Sequence, residues 1–149
     1  MGERIAVIGG GVIGAACALA LTRAGAEVVV LEAGVPGGVA SSASFGWINA
    51  SFHHDAHHFR LRVAAMEAWR RLGCVEVNWC GGLVWEAGAV AAEAERLGGM
   101  GYEVELWEAE AVARAVPGLA ALPERAMFLP GEGVVDLAEA ARAMLAASG

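Results

Sequence analysis

The chain opens on a change of hydrophobic period. Ile5-Ala6-Val7-Ile8 is a continuous apolar run broken by Gly9-Gly10-Gly11; a short run closed by glycine predicts a strand. From Val12 to about Ala24 the residues are small and apolar, with Gly25 just beyond. That predicts a helix ended by a glycine in the left-handed conformation. Ile13, Cys17, Ala20, Leu21 and Ala24 recur at three- and four-residue spacing and predict its buried stripe, with Cys17 in the core. Val28-Val29-Val30-Leu31 predicts a second strand, ending at Glu32. Strand, glycine turn, helix and strand in this order make a βαβ unit with parallel strands.

After Glu32 the pattern loses its period. Residues 33–49 are rich in glycine and serine and carry no charge. Small residues suit a loop lying against something flat or anionic, with Ser41, Ser42 and Ser44 offering hydroxyl donors; an Ω-type loop packed on itself is the alternative. Asp55 predicts the N-cap of a helix from about Ala56 to Leu72. Phe59, Val63, Met66, Trp69 and Leu72 form its inner face, and Arg60, Arg62, Arg70 and Arg71 lie opposite. Beyond Gly73, Val75–Trp79 and Leu83–Glu86 alternate as strands do. A helix over about Ala89–Met100 follows, then a strand Glu103–Trp107, a helix Glu108–Val116 stopped by Pro117, and a strand Ala126–Leu129. Pro130-Gly131-Glu132-Gly133 predicts a turn, and Asp136 the cap of a last helix through Ala147.

Composition narrows the setting. At 149 residues a chain can bury roughly 70% of its unfolded surface in one domain. The net charge of −7, with no basic cluster, argues against a nucleic-acid or anionic-membrane partner. The uncharged run from Ile5 to Thr22 has the composition of a membrane span, but three glycines in its middle favour the folded βα reading and no span. Cys17, Cys74 and Cys80 are odd in number and form no CxxC pair, which suits a reducing, cytoplasmic compartment. His53/His57 and His54/His58 stand at i,i+4 spacing, which zinc sites use. No carboxylate or cysteine completes a ligand set, so no metal is expected.

The chemistry of the opening turn follows from its backbone. In Gly9-x-Gly11-x-x-Gly14 the first glycine allows a tight exit from the strand, the second lets main chain approach a pyrophosphate, and the third brings helix and sheet together. The helix N-terminus presents N–H groups and a positive dipole end to phosphate. Glu32, at the tip of the second strand, can accept from both ribose hydroxyls and disfavours a 2′-phosphate, so NADP is not expected. Glu32 suits NAD and FAD equally, so the turn alone does not choose between them.

Gly9, Gly11, Gly14, Ala18, Leu21, Gly25, Val28 and Glu32 together match the long fingerprint of flavoproteins. With Gly37–Ile48 and with Gly131-Glu132-Gly133-Val134-Val135-Asp136, the chain resembles the D-amino-acid oxidase, glycine oxidase and sarcosine oxidase superfamily of FAD-dependent oxidoreductases, the DAO family. Many members have proline after that aspartate, where this chain has Leu137, a small departure because proline merely favours a first helical position.

The resemblance implies an α/β fold: a Rossmann-like FAD-binding βαβ unit followed by part of an α+β substrate domain. Residues 1–50 would be the first part of a discontinuous FAD-binding domain. Residues 51–149 would be part of the substrate domain, ending before the next nucleotide-domain strand. Gly9, Gly11, Val12, Ile13 and Gly14 would face the pyrophosphate, and Glu32 and Ala33 the adenosine ribose. Ala40, Ser41 and Ser42 would line the pyrophosphate and ribityl region, with Gly46 and Trp47 near the isoalloxazine. FAD would be noncovalent. The implied activity is oxidation of an amino acid or related amine by hydride transfer to flavin. Members are more than twice this length, so the chain is expected to be an N-terminal portion, inactive alone. The substrate-binding arginine and tyrosine belong to the other half, and no catalytic residue is identified. The alternative is a non-catalytic dinucleotide-binding chain, completed by self-association or by a partner.

Overall fold

In the computed structural model, which describes residues 3–85 and 89–149, β1 (Arg4–Ile8) is followed by α1 (Val12–Arg23) and β2 (Glu27–Leu31). The strands pair in parallel with Ile5 opposite Val28 and Ile8 opposite Leu31. The chain continues through β3 (Trp47–Ile48), α2 (Ala56–Arg71), β4 (Gly82–Val84), α3 (Val90–Gly99) and β5 (Glu105–Glu108). It ends with α4 (Ala109–Ala115), β6 (Arg125–Leu129), β7 (Gly133–Val134) and α5 (Leu137–Ala146). This is the mixed α/β architecture expected, opening on a βαβ unit. Contacts divide it into two compact units. The first holds the chain up to Trp47 with residues 67–78 and 134–149; the second holds residues 48–66 and 79–133.

In the first unit α1 packs most extensively against α5. Its buried residues are Ala15, Ala18 and Leu19, against Ala140, Ala141 and Met144 buried in α5. The stripe expected from periodicity is therefore corrected: Ile13 is 75% exposed, and Cys17 is exposed rather than core. The reason lies in the sequence of α1, which is apolar on every side up to Thr22. Where no polar residue marks the outer face, spacing alone does not select the inner one. Asp136 caps α5 as expected, its Oδ1 accepting from Ala138 and Glu139 N–H at 2.9 Å each. Ala6, Ile8, Val29 and Leu31 share the outward face of the parallel pair, and Ile8 is 86% exposed.

In the second unit β6 is the middle strand of an antiparallel sheet ordered β4-β6-β5. Leu83 and Glu105 both stand opposite Phe128. Leu97 of α3, Val112 of α4 and Met127 and Leu129 of β6 are fully or almost fully buried. On β5 and β6 Trp107 stacks on Phe128 with centroids 4.2 Å apart. Asp55 caps α2, its Oδ1 accepting from His58 N–H at 2.8 Å, and α2 buries Phe59 and Met66 of its expected inner face.

The strand expected at Val75–Trp79 is not formed: only an isolated bridge joins Asn78 to Val134. Alternation of polar and apolar residues signals a strand only if a neighbour pairs along it. Glu86, the end of the next expected strand, lies outside the described residues. No helix among those described is long and apolar enough to cross a membrane.

Candidate cofactor site

The glycine turn joins β1 to α1, and its close packing is visible at Gly14. A Cβ there would overlap the carbonyl oxygen of Gly9, which itself has φ +100°. Only glycine fits both demands, a left-handed exit from the strand and contact between helix and turn. Gly11 is the N-cap of α1, and a Cβ on it would meet nothing nearer than the Ser41 hydroxyl at 3.5 Å. Gly11 is thus not demanded by the fold, and its bare backbone keeps the helix N-terminus accessible.

Three bonds tie the following loop to this turn. Gly10 N–H donates to Glu32 Oε2 at 2.6 Å, Gly37 N–H to the Gly10 carbonyl at 3.0 Å, and Val12 N–H to the Ser41 hydroxyl at 3.0 Å. Ser41 is 6% exposed, so it caps α1 from outside the helix and satisfies one of its first-turn donors. Glu32 Oε1 accepts from Gly34 N–H at 2.8 Å. The Gly10 and then the Gly34 N–H hold the exposed Glu32 carboxyl below the usual carboxylate range. A carboxylate has about four lone-pair sites, so two backbone bonds leave acceptor capacity for ribose hydroxyls.

Ile8, Gly9, Val30, Leu31, Glu32 and Ala33 line a cleft of about 540 Å³ at the carboxyl ends of β1 and β2. Clefts at that end of a parallel sheet receive ligands in α/β folds. The cleft combines apolar walls, a glycine floor and a carboxylate acceptor, a combination that fits the adenine face and ribose hydroxyls of a dinucleotide. Val12 and Ile13 stand in the first turn of α1. Ala40 and Ser42 are exposed, and the Ser42 hydroxyl donates to the Gly38 and Val39 carbonyls at 3.0 and 2.8 Å. Gly46 is buried with φ +67°, and a Cβ would overlap the Val135 carbonyl. Trp47 is half-buried and lies 6.3 Å from the Phe45 ring. Gly9, Gly10, Glu32 and Ser41 are thereby brought together around one turn. Gly46 instead packs against Val135, just before α5.

Sequence reasoning missed Glu132. It is fully buried, and its Oε1 accepts from Tyr102 Oη–H at 2.9 Å, Ser51 N–H at 3.2 Å and Ala50 N–H at 3.3 Å. Tyr102 also lies edge-on to Phe59, with ring centroids 5.6 Å apart. A glutamate between two glycines reads as turn chemistry, and nothing local announces its burial. The four histidines gather no ligand set: among the described residues no group of three or more His, Cys, Asp and Glu could hold a metal ion.

A family model described as "DAO: FAD dependent oxidoreductase" matches residues 4–148. The chain belongs to this family. Among solved structures, the glycine oxidase from Geobacillus kaustophilus is 26% identical, with a TM-score of 0.84 over 98% of this chain and 44% of its own. The glycine oxidase from Bacillus cereus ATCC 14579 is 20% identical, with a TM-score of 0.86 over 99% of this chain and 44% of its own. The L-proline dehydrogenase from P. horikoshii is 24% identical, with a TM-score of 0.83 over 99% of this chain and 41% of its own. This DAO-family chain therefore spans less than half the length of these relatives. No curated protein sequence matches it.

Proposed function

We propose that this DAO-family chain forms the adenosine- and pyrophosphate-binding part of an enzyme that oxidises an amino acid or related amine. The observation that carries the reading is the glycine turn tied to Glu32 and Ser41 at the mouth of a cleft. Gly9, Gly11, Val12, Ile13 and Gly14 would hold the pyrophosphate, Glu32 and Ala33 the ribose, and Ala40, Ser41 and Ser42 the phosphate and ribityl region. Gly46 and Trp47 would stand at the ring. Bound FAD would supply the hydride acceptor that turns a C–N single bond into an imine. The protein's share is binding, orientation and exclusion of water. With no histidine or cysteine in residues 9–14 or 37–48, we take the association to be noncovalent; three cysteines that form no CxxC pair suit a cytoplasmic compartment.

The test is to purify the uninterrupted reading frame that contains this chain and record its visible spectrum. A flavin released intact by acid precipitation, and bleached anaerobically by an amino acid or amine, is the expected result. Absence of flavin, or exclusive binding of NAD in calorimetry, overturns the reading. The exposed apolar face Ala6, Ile8, Val29 and Leu31 favours a second reading, a dinucleotide-binding chain completed by self-association or by a partner. A strictly monomeric, well-folded chain in sedimentation counts against it.

A further inference from the structure

The loop that follows Glu32 is held to the first unit at few points. Within residues 37–46 only Gly37, Ser41 and Gly46 are buried, while Val39 and Phe45, which lie between these points, are 83% and 81% exposed. Ser41 is fixed on α1, where its hydroxyl accepts from Val12 N–H at 3.0 Å. The two glycines are fixed on the start of α5. A Cβ on Gly37 would lie 2.8 Å from the Ala138 Cα and 2.9 Å from its carbonyl oxygen, and one on Gly46 would overlap the Val135 carbonyl. Both glycines have positive φ, +73° and +67°, so conformation and space together require glycine at each. Val135 N–H also donates to the Gly46 carbonyl at 3.0 Å. Residues 135–138 thus form the back wall of the loop, and every one of these groups belongs to the first unit.

One side chain fixes the first turn of that wall. Asp136 Oδ1 accepts from Ala138 N–H and Glu139 N–H at 2.9 Å each, which holds Ala138 where its backbone meets Gly37. Gly37 N–H in turn donates to the Gly10 carbonyl at 3.0 Å, and Gly10 N–H is held by Glu32. Asp136 itself is exposed and does not line the cleft beside Glu32. A helix that loses its cap frays first at its N-terminal turn. Without the Asp136 carboxylate, the part of α5 that backs the loop is freed, while Ala140, Ala141 and Met144 stay packed.

We propose that Asp136 is a positioning residue for the cofactor loop: by capping α5 it holds residues 135–138 against Gly37 and Gly46, and so keeps Ser41 at the start of α1. Its effect on FAD rests on the function proposed above; its effect on the loop does not.

The test compares Asp136→Ala with Asp136→Asn in the uninterrupted reading frame that contains this chain. Asparagine retains a capping oxygen and alanine does not. In the FAD-free protein, hydrogen exchange read by mass spectrometry should quicken about fivefold over residues 9–13 and 36–46 in Asp136→Ala. Residues 27–31 of β2 should stay within about twofold of wild type, as should every peptide of Asp136→Asn. FAD release, followed by flavin fluorescence on dilution, should be about fivefold faster in Asp136→Ala and restored in Asp136→Asn. By reciprocity, FAD bound to the wild-type protein should slow exchange over residues 136–140. That protection decides if Asp136→Ala does not fold by circular dichroism. Exchange that quickens only within α5, or equally in residues 27–31, overturns the proposal. So does an asparagine variant that behaves like the alanine one, unchanged FAD release, or bound FAD that leaves residues 136–140 unprotected. A wild-type protein that binds no FAD sinks the proposed function instead, and exchange over residues 36–46 then decides the role of Asp136.

Discussion

In the first unit a loop is held beside a site by main chain. Gly10, Gly34 and Val12 donate backbone N–H groups to Glu32 and Ser41, and Gly14 is bare so that helix and turn can touch. In the second unit the Ala50–Ser51 loop is held by one buried side chain, Glu132, whose Oε1 serves two backbone N–H groups and a phenol. The first arrangement is spread over many weak constraints near solvent. The second concentrates its constraint in a single atom away from water, where an unmet donor cannot turn to solvent. The two regions should therefore fail differently: the second by unfolding, the first by losing its ligand.

The largest effect is expected at Glu132. Glu132→Ala leaves the Ser51 N–H without its acceptor and returns the Ala50 N–H and the Tyr102 hydroxyl to weaker ones, Tyr102 Oη at 3.3 Å and Met66 Sδ at 3.5 Å; at about 1–3 kcal/mol for a stranded donor and less for the other two, the cost should reach about 2–4 kcal/mol. Glu132→Gln retains an acceptor oxygen and should cost about 1–2 kcal/mol. Urea unfolding of the two variants measures the difference. If both lose the same small amount, the carboxylate is not what holds the Ala50–Ser51 loop and the contrast between the units collapses.

The glycines of the turn sharpen the contrast within the first unit. A methyl at Gly14 overlaps the Gly9 carbonyl, so Gly14→Ala should cost about 1–3 kcal/mol by overpacking and reduce FAD affinity as well. A methyl at Gly11 meets only ordinary contact with Ser41. Gly11→Ala should leave stability within about 0.5 kcal/mol yet weaken FAD by about tenfold or more, because the methyl stands where main chain would approach phosphate. Thermal unfolding paired with equilibrium dialysis against FAD separates the two. A Gly11 variant that loses stability without losing affinity would make that glycine structural too.

These differences explain how far the sequence could be read. The βαβ unit, the Gly9–Gly14 turn and Glu32 all lie within one short span, and each acts through local backbone geometry that residue type and spacing encode directly. The caps at Asp55 and Asp136 were readable for the same reason. The buried face of α1 was not, because Ile13 and Cys17 are as apolar as Ala15, Ala18 and Leu19. Contact with α5, more than a hundred residues away, makes the choice. Glu132, Tyr102 and Ser51 come from three separated segments, and their roles arise only when the turn after β6, the residues after α3 and the Ala50–Ser51 loop converge. The residues of a main-chain site are named by their neighbours in sequence; those of a side-chain site are named by their neighbours in space.

The smallest effect concerns Glu32. Its carboxyl is exposed, and the Gly10 and then the Gly34 N–H lower its folded pKa below the ordinary value of 4.5. A group whose folded pKa is depressed stabilises the fold above its unfolded pKa, and that contribution is lost as pH falls through the folded one. The tie between the turn and the 32–34 loop should thus be fully present at neutral pH and loosen only under acid, below 4.5. Amide shifts of Gly10 and Gly34 followed by NMR from neutral to acid pH report it directly. The two amides should titrate together, with a midpoint below that of glutamate in a short unstructured peptide. Glu32→Gln should remove the transition from both. A midpoint at or above the peptide value, or amides that titrate independently, would mean that the carboxylate does not bridge the turn. The first unit would then owe its geometry to the glycines and Ser41 alone.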